Sequence, residues 1–234
     1  MRRFSWDRSP SLSLGIDAHR LEATSETEVF NTVYENCGGM ATHGDSVDLV
    51  DGTVVRQFAR AAVLAALLGA LGPISIPLPF SLAPVTLQVL FVFLAGLVLG
   101  PVWGTASMLL YLAAGAVGAP VFAGWEAGLG PLFGQTGGFL WSYPIAAALI
   151  GAIVHRGTDL RDPAAVPLPV VVLALAAATV LIYAMGTAYA AWLLELEAWE
   201  AIVGFALPFV PGELLKMAAA IAIVNGGRLE PIQA

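Results

Sequence analysis

The chain has 234 residues, of which 58% are hydrophobic and 12% are charged, whereas typical soluble domains carry about 25% charged residues. This composition is typical of a polytopic membrane protein, because a soluble core of this size could not cover so much apolar surface. The net charge of −7 gives no indication of a nucleic-acid partner. The single cysteine, Cys37, excludes an intramolecular disulfide framework and a cysteine-based metal cluster, and we expect no metal and no resident cofactor.

The first 55 residues differ from the rest of the chain. Residues 1–55 hold nine of the 17 acidic residues and no apolar run long enough for a signal-peptide core. Their polar composition predicts a disordered acidic tail. Met40 opens a short acidic stretch that would make a natural start, so we hypothesise that residues 1–39 are an upstream translation extension. Peptides from this range in mass spectra of the native protein would refute that hypothesis.

Glycines and prolines divide the remaining apolar sequence into six helix-length segments. The segments are 57–71, 84–99, a third from the Gly100-Pro101 turn to about 118, 137–154, 167–194 and 202–224. A membrane span needs about 20 residues, so the second and third segments are short and are expected to be tilted or partly re-entrant. The sequence therefore predicts an all-α fold with six transmembrane helices over residues 56–228, followed by a C-terminal tail at 229–234.

The distribution of charge supports six spans with the N-terminus inside. The inner segments would then hold Arg56, Arg60, Arg156, Arg161 and Arg228, and the outer loops would hold Glu126, Glu195, Glu197 and Glu200. This agrees with the positive-inside rule and predicts a cell-membrane protein with both termini in the cytoplasm. His155 lies at an arginine-flanked inner loop and is expected to be a solvated end residue.

Lys216 is the only lysine of the chain, and it lies in an apolar run that contains one other charged residue, Glu213. At a spacing of three, the two side chains share one face of a helix. A charge in hydrocarbon costs at least about 2.5–3.5 kcal/mol, so both should face the protein interior or a water-filled site. Pro208 and Pro211 precede them, and broken helices at membrane depth typically line a cavity. Two interpretations stay open, namely a structural ion pair between helices and a ligand site.

Further polar side chains fall within the predicted spans. Thr86 and Gln88 begin the second span and Tyr143 lies in the first turns of the fourth, all on the outer half of the membrane. Gln88 is the strongest of these candidates, because an amide that faced lipid would lack a hydrogen-bond partner. Tyr111, in the middle of the third span, fits either ligand binding or packing.

The glycine-rich segment 122–139, which contains Trp125, is predicted to lie outside. Its glycines would let the backbone approach a ligand closely, with aromatic side chains as apolar walls, although a flexible connecting loop fits the composition equally well. The ligand predicted from these residues is small and largely apolar. It would carry a carboxylate or similar anion for Lys216 and N–H donors for Glu213.

Two adjacent stripes of small residues lie on the first predicted helix. They are Ala61, Ala65 and Gly69, and next to them Ala62, Ala66 and Ala70. This spacing permits close helix packing, either within the protein or with another subunit.

Five ordered motifs resemble the BioY family, the biotin-specific substrate-binding subunits (S components) of energy-coupling factor (ECF) transporters. The motifs are 83–88 (APVTLQ), 94–101 (LAGLVLGP), 110–124 with LYL and GAVGAPVFAG, 135–139 (QTGGF) and 211–216 (PGELLK). The resemblance covers residues about 56–226 and implies six transmembrane helices and biotin as the ligand. The biotin carboxylate would suit Lys216, and its ureido ring would suit Glu213 and neighbouring polar groups, with the orientation left open. The family usually has Asp where this chain has Glu213, and the longer side chain keeps the charge.

The resemblance also implies partners in the lipid bilayer. S components dock a transmembrane coupling subunit through an Ala-x-x-x-Ala stripe on the first helix, which either small-residue stripe would supply. ATP-binding subunits would power release of biotin inside the cell. No lysine of this chain follows a glycine-rich loop, so the chain has no Walker A motif of its own.

Two other classes of function compete with this interpretation. One is an ion-coupled secondary transporter of a small carboxylate, with Glu213 as the proton site. The other is an intramembrane enzyme, which ranks last because no histidine or cysteine lies within a predicted span. We therefore expect a binding subunit without catalytic activity.

Overall fold

The computed structural model describes residues 52–76, 84–157 and 160–226. The predictions of a disordered tail up to residue 51, of a translation extension at 1–39 and of a C-terminal tail at 229–234 concern residues outside these ranges. The tail was predicted to reach residue 55, but residues 52–55 form the first turn of a helix that begins at Gly52, so that boundary was wrong.

The described residues form a helical structure with one short hairpin of strands. The helices are α1 Gly52–Leu71, α2 Gln88–Leu94, α3 Gly100–Ala116, α4 Gly130–Phe133, α5 Gly137–His155, α6 Leu168–Leu194, α7 Ala198–Phe205 and α8 Val210–Gly226. A π-helical segment, Ala95–Leu99, joins α2 to α3, and 3-10 turns lie at Ala123–Trp125, Pro163–Ala165 and Leu207–Phe209. Strands β1 Ser75–Ile76 and β2 Val85–Thr86 pair in antiparallel fashion.

Helices α2 and α3 form a hairpin and not one long helix. The stretch Gln88–Ala116 has 29 residues and is one of five helical stretches in the described ranges that are long and apolar enough to cross a membrane. Gly100 interrupts it with a φ of 74° and a ψ of −172°, which glycine adopts readily. As a result, Gln88 Nε2 lies 2.7 Å from the Tyr111 hydroxyl, whereas about 34 Å would separate these positions in a straight helix. The stretch therefore contains two predicted spans, and the prediction of six transmembrane helices is confirmed.

Two further span boundaries differ from the prediction. The second span was expected from residue 84, but Val85–Thr86 extends as a strand because it pairs with Ser75–Ile76, and the helix begins at Gln88. The last span was expected from residue 202, but α7 begins at Ala198. The acidic loop is shorter in consequence.

The final span is broken in its middle. Helix α7 ends at Phe205, the 3-10 turn Leu207–Phe209 follows, and α8 starts at Val210. Pro208 and Pro211 account for the break, because neither can donate the backbone hydrogen bond that a continuous helix requires. The break creates a new helix N-terminus within the membrane-spanning part of the chain.

His155 is buried at the C-terminal end of α5, so the prediction of a solvated residue was wrong. Its ring is 1% exposed, and Nε2 lies 3.0 Å from the carbonyl oxygen of Leu97. The backbone N–H of Arg161 donates to Nδ1 at 3.0 Å. The loop after α5 folds back over the ring and ties it to the π-helical segment.

Helix α5 contacts both α3 and α6 and carries much of the buried core. Glycines allow the close approach of its neighbours. A Cβ atom at Gly151 would lie 2.3 Å from the backbone nitrogen of Pro101, and one at Gly96 would lie 2.6 Å from Cβ of Ile150. Both approaches hold the α2–α3 hairpin against α5.

This packing predicts that Gly151→Ala destabilises the protein. The new methyl group would overlap the backbone of Pro101, and overpacking of this kind costs about 1–3 kcal/mol of unfolding free energy. Thermal unfolding in detergent measures the effect, with Gly52→Ala as the control, because a Cβ at Gly52 meets nothing within 4 Å. Equal melting temperatures for Gly151→Ala and the wild type would contradict the close approach.

Candidate functional site

A cavity of about 500 Å³ lies between β2, α2, the glycine-rich segment, α5, α6 and the broken last span. This volume is in the usual range for small-molecule sites, about 300–1,000 Å³. Its apolar walls include the rings of Phe122, Phe139, Phe205 and Phe209. Its charged lining residues are Glu126, Glu213 and Lys216. The mixture of aromatic walls and a few polar groups is typical of a site for a small, mostly apolar ligand.

The ion pair of α8 is buried at this cavity. Lys216 Nζ lies 2.7 Å from Glu213 Oε1, and the two residues are 7% and 3% exposed. Glu213 belongs to the first turn of α8, where free backbone N–H groups and the helix dipole favour an anion. The proline break thus supplies a positive helix end at the depth where the carboxylate lies, and Lys216 supplies the counter-charge one turn later.

Tyr183 on α6 is a third member of this group and was not predicted from the sequence. Its hydroxyl donates to Glu213 Oε1 at 2.9 Å, and its ring lines the cavity. The other carboxylate oxygen, Oε2, is buried and has no hydrogen-bond partner among the described residues. The available signal was a tyrosine within an apolar span, the same signal that singled out Tyr111.

Gln88 is the centre of a second polar group. Its Oε1 accepts from the hydroxyls of Thr86 and Tyr143, both at 3.2 Å, and its Nε2 donates to the Tyr111 hydroxyl at 2.7 Å. Tyr111 in turn donates to the carbonyl oxygen of Val121 at 3.1 Å. The carbonyl side of the amide is thereby fully used, and one N–H of Gln88 remains for a ligand.

The structure brings together most of the predicted site residues. Thr86, Gln88, Tyr143, Glu213 and Lys216 all line the cavity. Tyr111 does not line the cavity but lies behind it, where its hydroxyl accepts a hydrogen bond from Gln88. This position fits the packing role, and direct contact with a ligand stays a prediction.

Trp125, like Tyr111, is a predicted site residue that does not line the cavity. Its side chain is 64% exposed, whereas its neighbours Ala123 and Glu126 line the cavity. Trp125 has a left-handed backbone, with a φ of 67°, which turns the chain at this point. The glycine-rich segment therefore supplies lining residues, but not this ring.

The two small-residue stripes on α1 have different environments. Ala61 and Ala65 are buried within the protein, and the backbone oxygen of Ala61 accepts a hydrogen bond from Ser107 at 2.8 Å. Gly69 packs against Val121. In the second stripe, Ala62 is half-buried, and Ala66 and Ala70 are exposed. The first stripe therefore packs internally, and the second lies on the surface.

The fold and the cavity together define a multi-pass helical membrane protein with a binding site for a small ligand. A sequence model of the BioY family matches residues 40–230. The chain therefore belongs to the BioY family.

Individual relatives agree with this assignment. The chain is 36% identical over 169 residues to the probable biotin transporter BioY of Pyrococcus horikoshii, an alignment that covers 71% of this chain and 95% of the relative. It is 38% identical over 177 residues to the biotin transporter BioY of Rhodobacter capsulatus, and this alignment covers 69% of this chain and 87% of the relative. Its fold is similar to the crystal structure of an S-component for biotin from an ECF-type ABC transporter, with a TM-score of 0.66, 23% identity, and coverage of 76% of this chain and 93% of the other.

Because the ion pair is buried, single and double substitutions should differ sharply in their effect on the free energy of unfolding. Lys216→Met leaves a buried carboxylate without its counter-charge and should lower the unfolding free energy by about 3–5 kcal/mol. Glu213→Leu combined with Lys216→Met removes both charges and should restore most of that stability. Thermal unfolding of the ligand-free protein in detergent measures both. A double variant that is less stable than Lys216→Met would show that the pair is not mutually compensating.

Proposed function

We propose that this protein is the biotin-binding S component of an ECF-type transporter and captures biotin from outside the cell. Membership of the BioY family and the relatives named as biotin transporters support the ligand. The observation that carries the proposal is the buried pair of Glu213 and Lys216 at a cavity with aromatic walls. The protein would act by binding and transport, without catalysis and without a resident cofactor.

We propose that the ureido ring of biotin faces the ion pair. Lys216 Nζ uses one donor on Glu213 and keeps two, while Glu213 Oε2 has no protein donor among the described residues. A ureido group carries an N–H directly beside a C=O, so its N–H can donate to Glu213 while its oxygen accepts from Lys216. The ligand then satisfies both members of the pair without adding a charge to a buried site.

The carboxylate of biotin fits the pair less well. Placed at Lys216, it would also lie beside the negative charge of Glu213, which is only 2.7 Å from the ammonium. At the opposite end, the carboxylate can stay in contact with water. Glu126 also lines the cavity, but its exposure to water and salt screens its charge. We therefore propose that the valerate chain runs past Phe139 and Phe205 toward the opening.

The positive-inside distribution of charge supports an opening toward the outside. Under that rule the glycine-rich segment, which lines the cavity, belongs to the outer surface, and both termini belong to the cytoplasm. Biotin would enter from outside and be released inside after the subunit reorients. Partner subunits that bind ATP would supply the energy.

The surface stripe of α1 is the proposed contact with the transmembrane coupling subunit. Ala66 and Ala70 are exposed, and Ala62 is half-buried beside them. Small side chains permit the backbones of two helices to approach closely in a membrane, where shape complementarity replaces the hydrophobic effect. The internal stripe of Ala61 and Ala65 is already packed and is not available to a partner.

Biotin titration of the purified protein in detergent, without nucleotide, tests the ligand and the site. The wild type should bind biotin, and Glu213→Ala and Lys216→Ala should each weaken binding at least tenfold, about 1.4 kcal/mol. Glu200→Ala, which removes an acid outside the cavity lining, is the control and should bind as the wild type does. Unchanged affinity in both site variants would refute the site assignment, and absence of biotin binding by the wild type would refute the ligand.

If the protein docks through the surface stripe, a substitution in the stripe should abolish transport without changing the affinity for biotin. Ala66→Trp should leave biotin affinity of the isolated protein unchanged but abolish uptake by cells that contain the partner subunits, because the large ring blocks close helix approach. Val54→Trp, at an exposed position of the same helix about two turns before the stripe begins, should retain uptake. Full uptake by Ala66→Trp would contradict this docking surface. Uptake by the chain alone that collapses with the proton gradient would favour a secondary transporter instead.

A further inference from the structure

We infer that Tyr183 is a positioning residue, whose hydroxyl fixes the carboxylate of Glu213 so that Oε2 is the oxygen that accepts the ligand N–H. The inference rests on the proposed function, because it concerns how the same site recognises its ligand. Tyr183 belongs to none of the five motifs on which the resemblance depends, and its role follows from the contacts of α6 with α8.

The two donors to Glu213 converge on a single oxygen. Lys216 Nζ at 2.7 Å and the Tyr183 hydroxyl at 2.9 Å both donate to Oε1. A carboxylate oxygen has two lone pairs in its plane, so these donors occupy the acceptor capacity of Oε1. Oε2 is buried without a partner among the described residues, and a buried acceptor in this state is costly unless a ligand donor satisfies it.

Lys216 alone would not fix this arrangement. It lies on the same helix as Glu213, and a carboxylate with one flexible ammonium partner can rotate to offer either oxygen. Tyr183 approaches from α6 and is a rigid donor, because its ring packs against Phe139 at 5.7 Å and Phe209 at 6.0 Å between centroids. Two donors from different helices define the orientation of the carboxylate, and the aromatic contacts define the position of the second donor.

The occupation of Oε1 determines which ligands the pair can bind. With Oε1 occupied, the pair offers one acceptor, Oε2, beside the remaining donors of Lys216. This arrangement matches a ligand with an N–H next to a C=O, as in a urea or a cyclic amide. Without the tyrosine hydroxyl, Oε1 would recover acceptor capacity and the carboxylate would rotate more freely, so the geometric match would be lost while the charge stayed the same.

A double-mutant cycle with Tyr183→Phe and Glu213→Ala tests this role. Tyr183→Phe removes the hydroxyl and keeps the ring, so we expect biotin to bind about tenfold more weakly while the melting temperature of the ligand-free protein stays within about 2 °C of wild type. In the Glu213→Ala background, which has no side-chain acceptor at this position, Tyr183→Phe should cause no further loss, since the tyrosine acts only through the carboxylate. Titration gives the affinities for biotin. For variants that bind too weakly to titrate, the rise in melting temperature at excess biotin gives the comparison.

Tyr189→Phe is the matched control. It removes a hydroxyl from the same helix, where Tyr189 donates to the carbonyl oxygen of Phe133 at 3.1 Å outside the cavity lining, and should leave affinity unchanged. Wild-type affinity in Tyr183→Phe would overturn the inference and leave the proposed function intact. Losses that multiply in the double variant, together with a lowered melting temperature, would assign Tyr183 a structural role and overturn it too. Failure of the wild type to bind biotin would overturn both.

Discussion

A lysine and a glutamate buried together in an apolar span constrain much of the surrounding structure. Neither charge is tolerated in hydrocarbon alone, so each requires a partner and a place away from lipid. The chain meets this requirement with a proline break that puts a helix N-terminus beside Glu213, with Lys216 one turn further along α8, and with Tyr183 from α6. The cavity exists where these elements meet, because the broken helix and the glycine-rich segment do not fill the space between α2, α5 and α6.

In the orientation proposed for biotin, the self-compensating pair would let a buried site bind a neutral head group. The charges cancel, so no counter-ion has to enter with the ligand, yet each member keeps unused hydrogen-bonding capacity. The Gln88 group is built in a similar way, with its oxygen side occupied by Thr86 and Tyr143 and an N–H in reserve. Both groups are held by neighbours on other elements, which prepares the site before the ligand arrives and lowers the entropic cost of binding.

Much of the fold and part of the site could be predicted from the sequence. The helix count, the Gly100 turn and the break before Glu213 follow from glycine, proline and charge, which act locally. The start of the second span could not be predicted, because the pairing of β2 with β1 is a tertiary contact. Tyr183 was missed for a related reason: a tyrosine in an apolar span is a signal, but only the contact of α6 with α8 shows that its hydroxyl meets Glu213. Trp125 shows the opposite error, because it was predicted as a site residue and does not line the cavity. Its backbone is left-handed, and its side chain is exposed.

A structure of the protein with biotin bound would show how the ligand lies at the ion pair. We expect the ureido ring at the pair, with an N–H within about 3.2 Å of a Glu213 oxygen and the ureido oxygen within the same distance of Lys216 Nζ. The valerate carboxylate should lie toward the opening. A carboxylate bound directly to Lys216, with the ureido ring at the opening, would refute the proposed orientation.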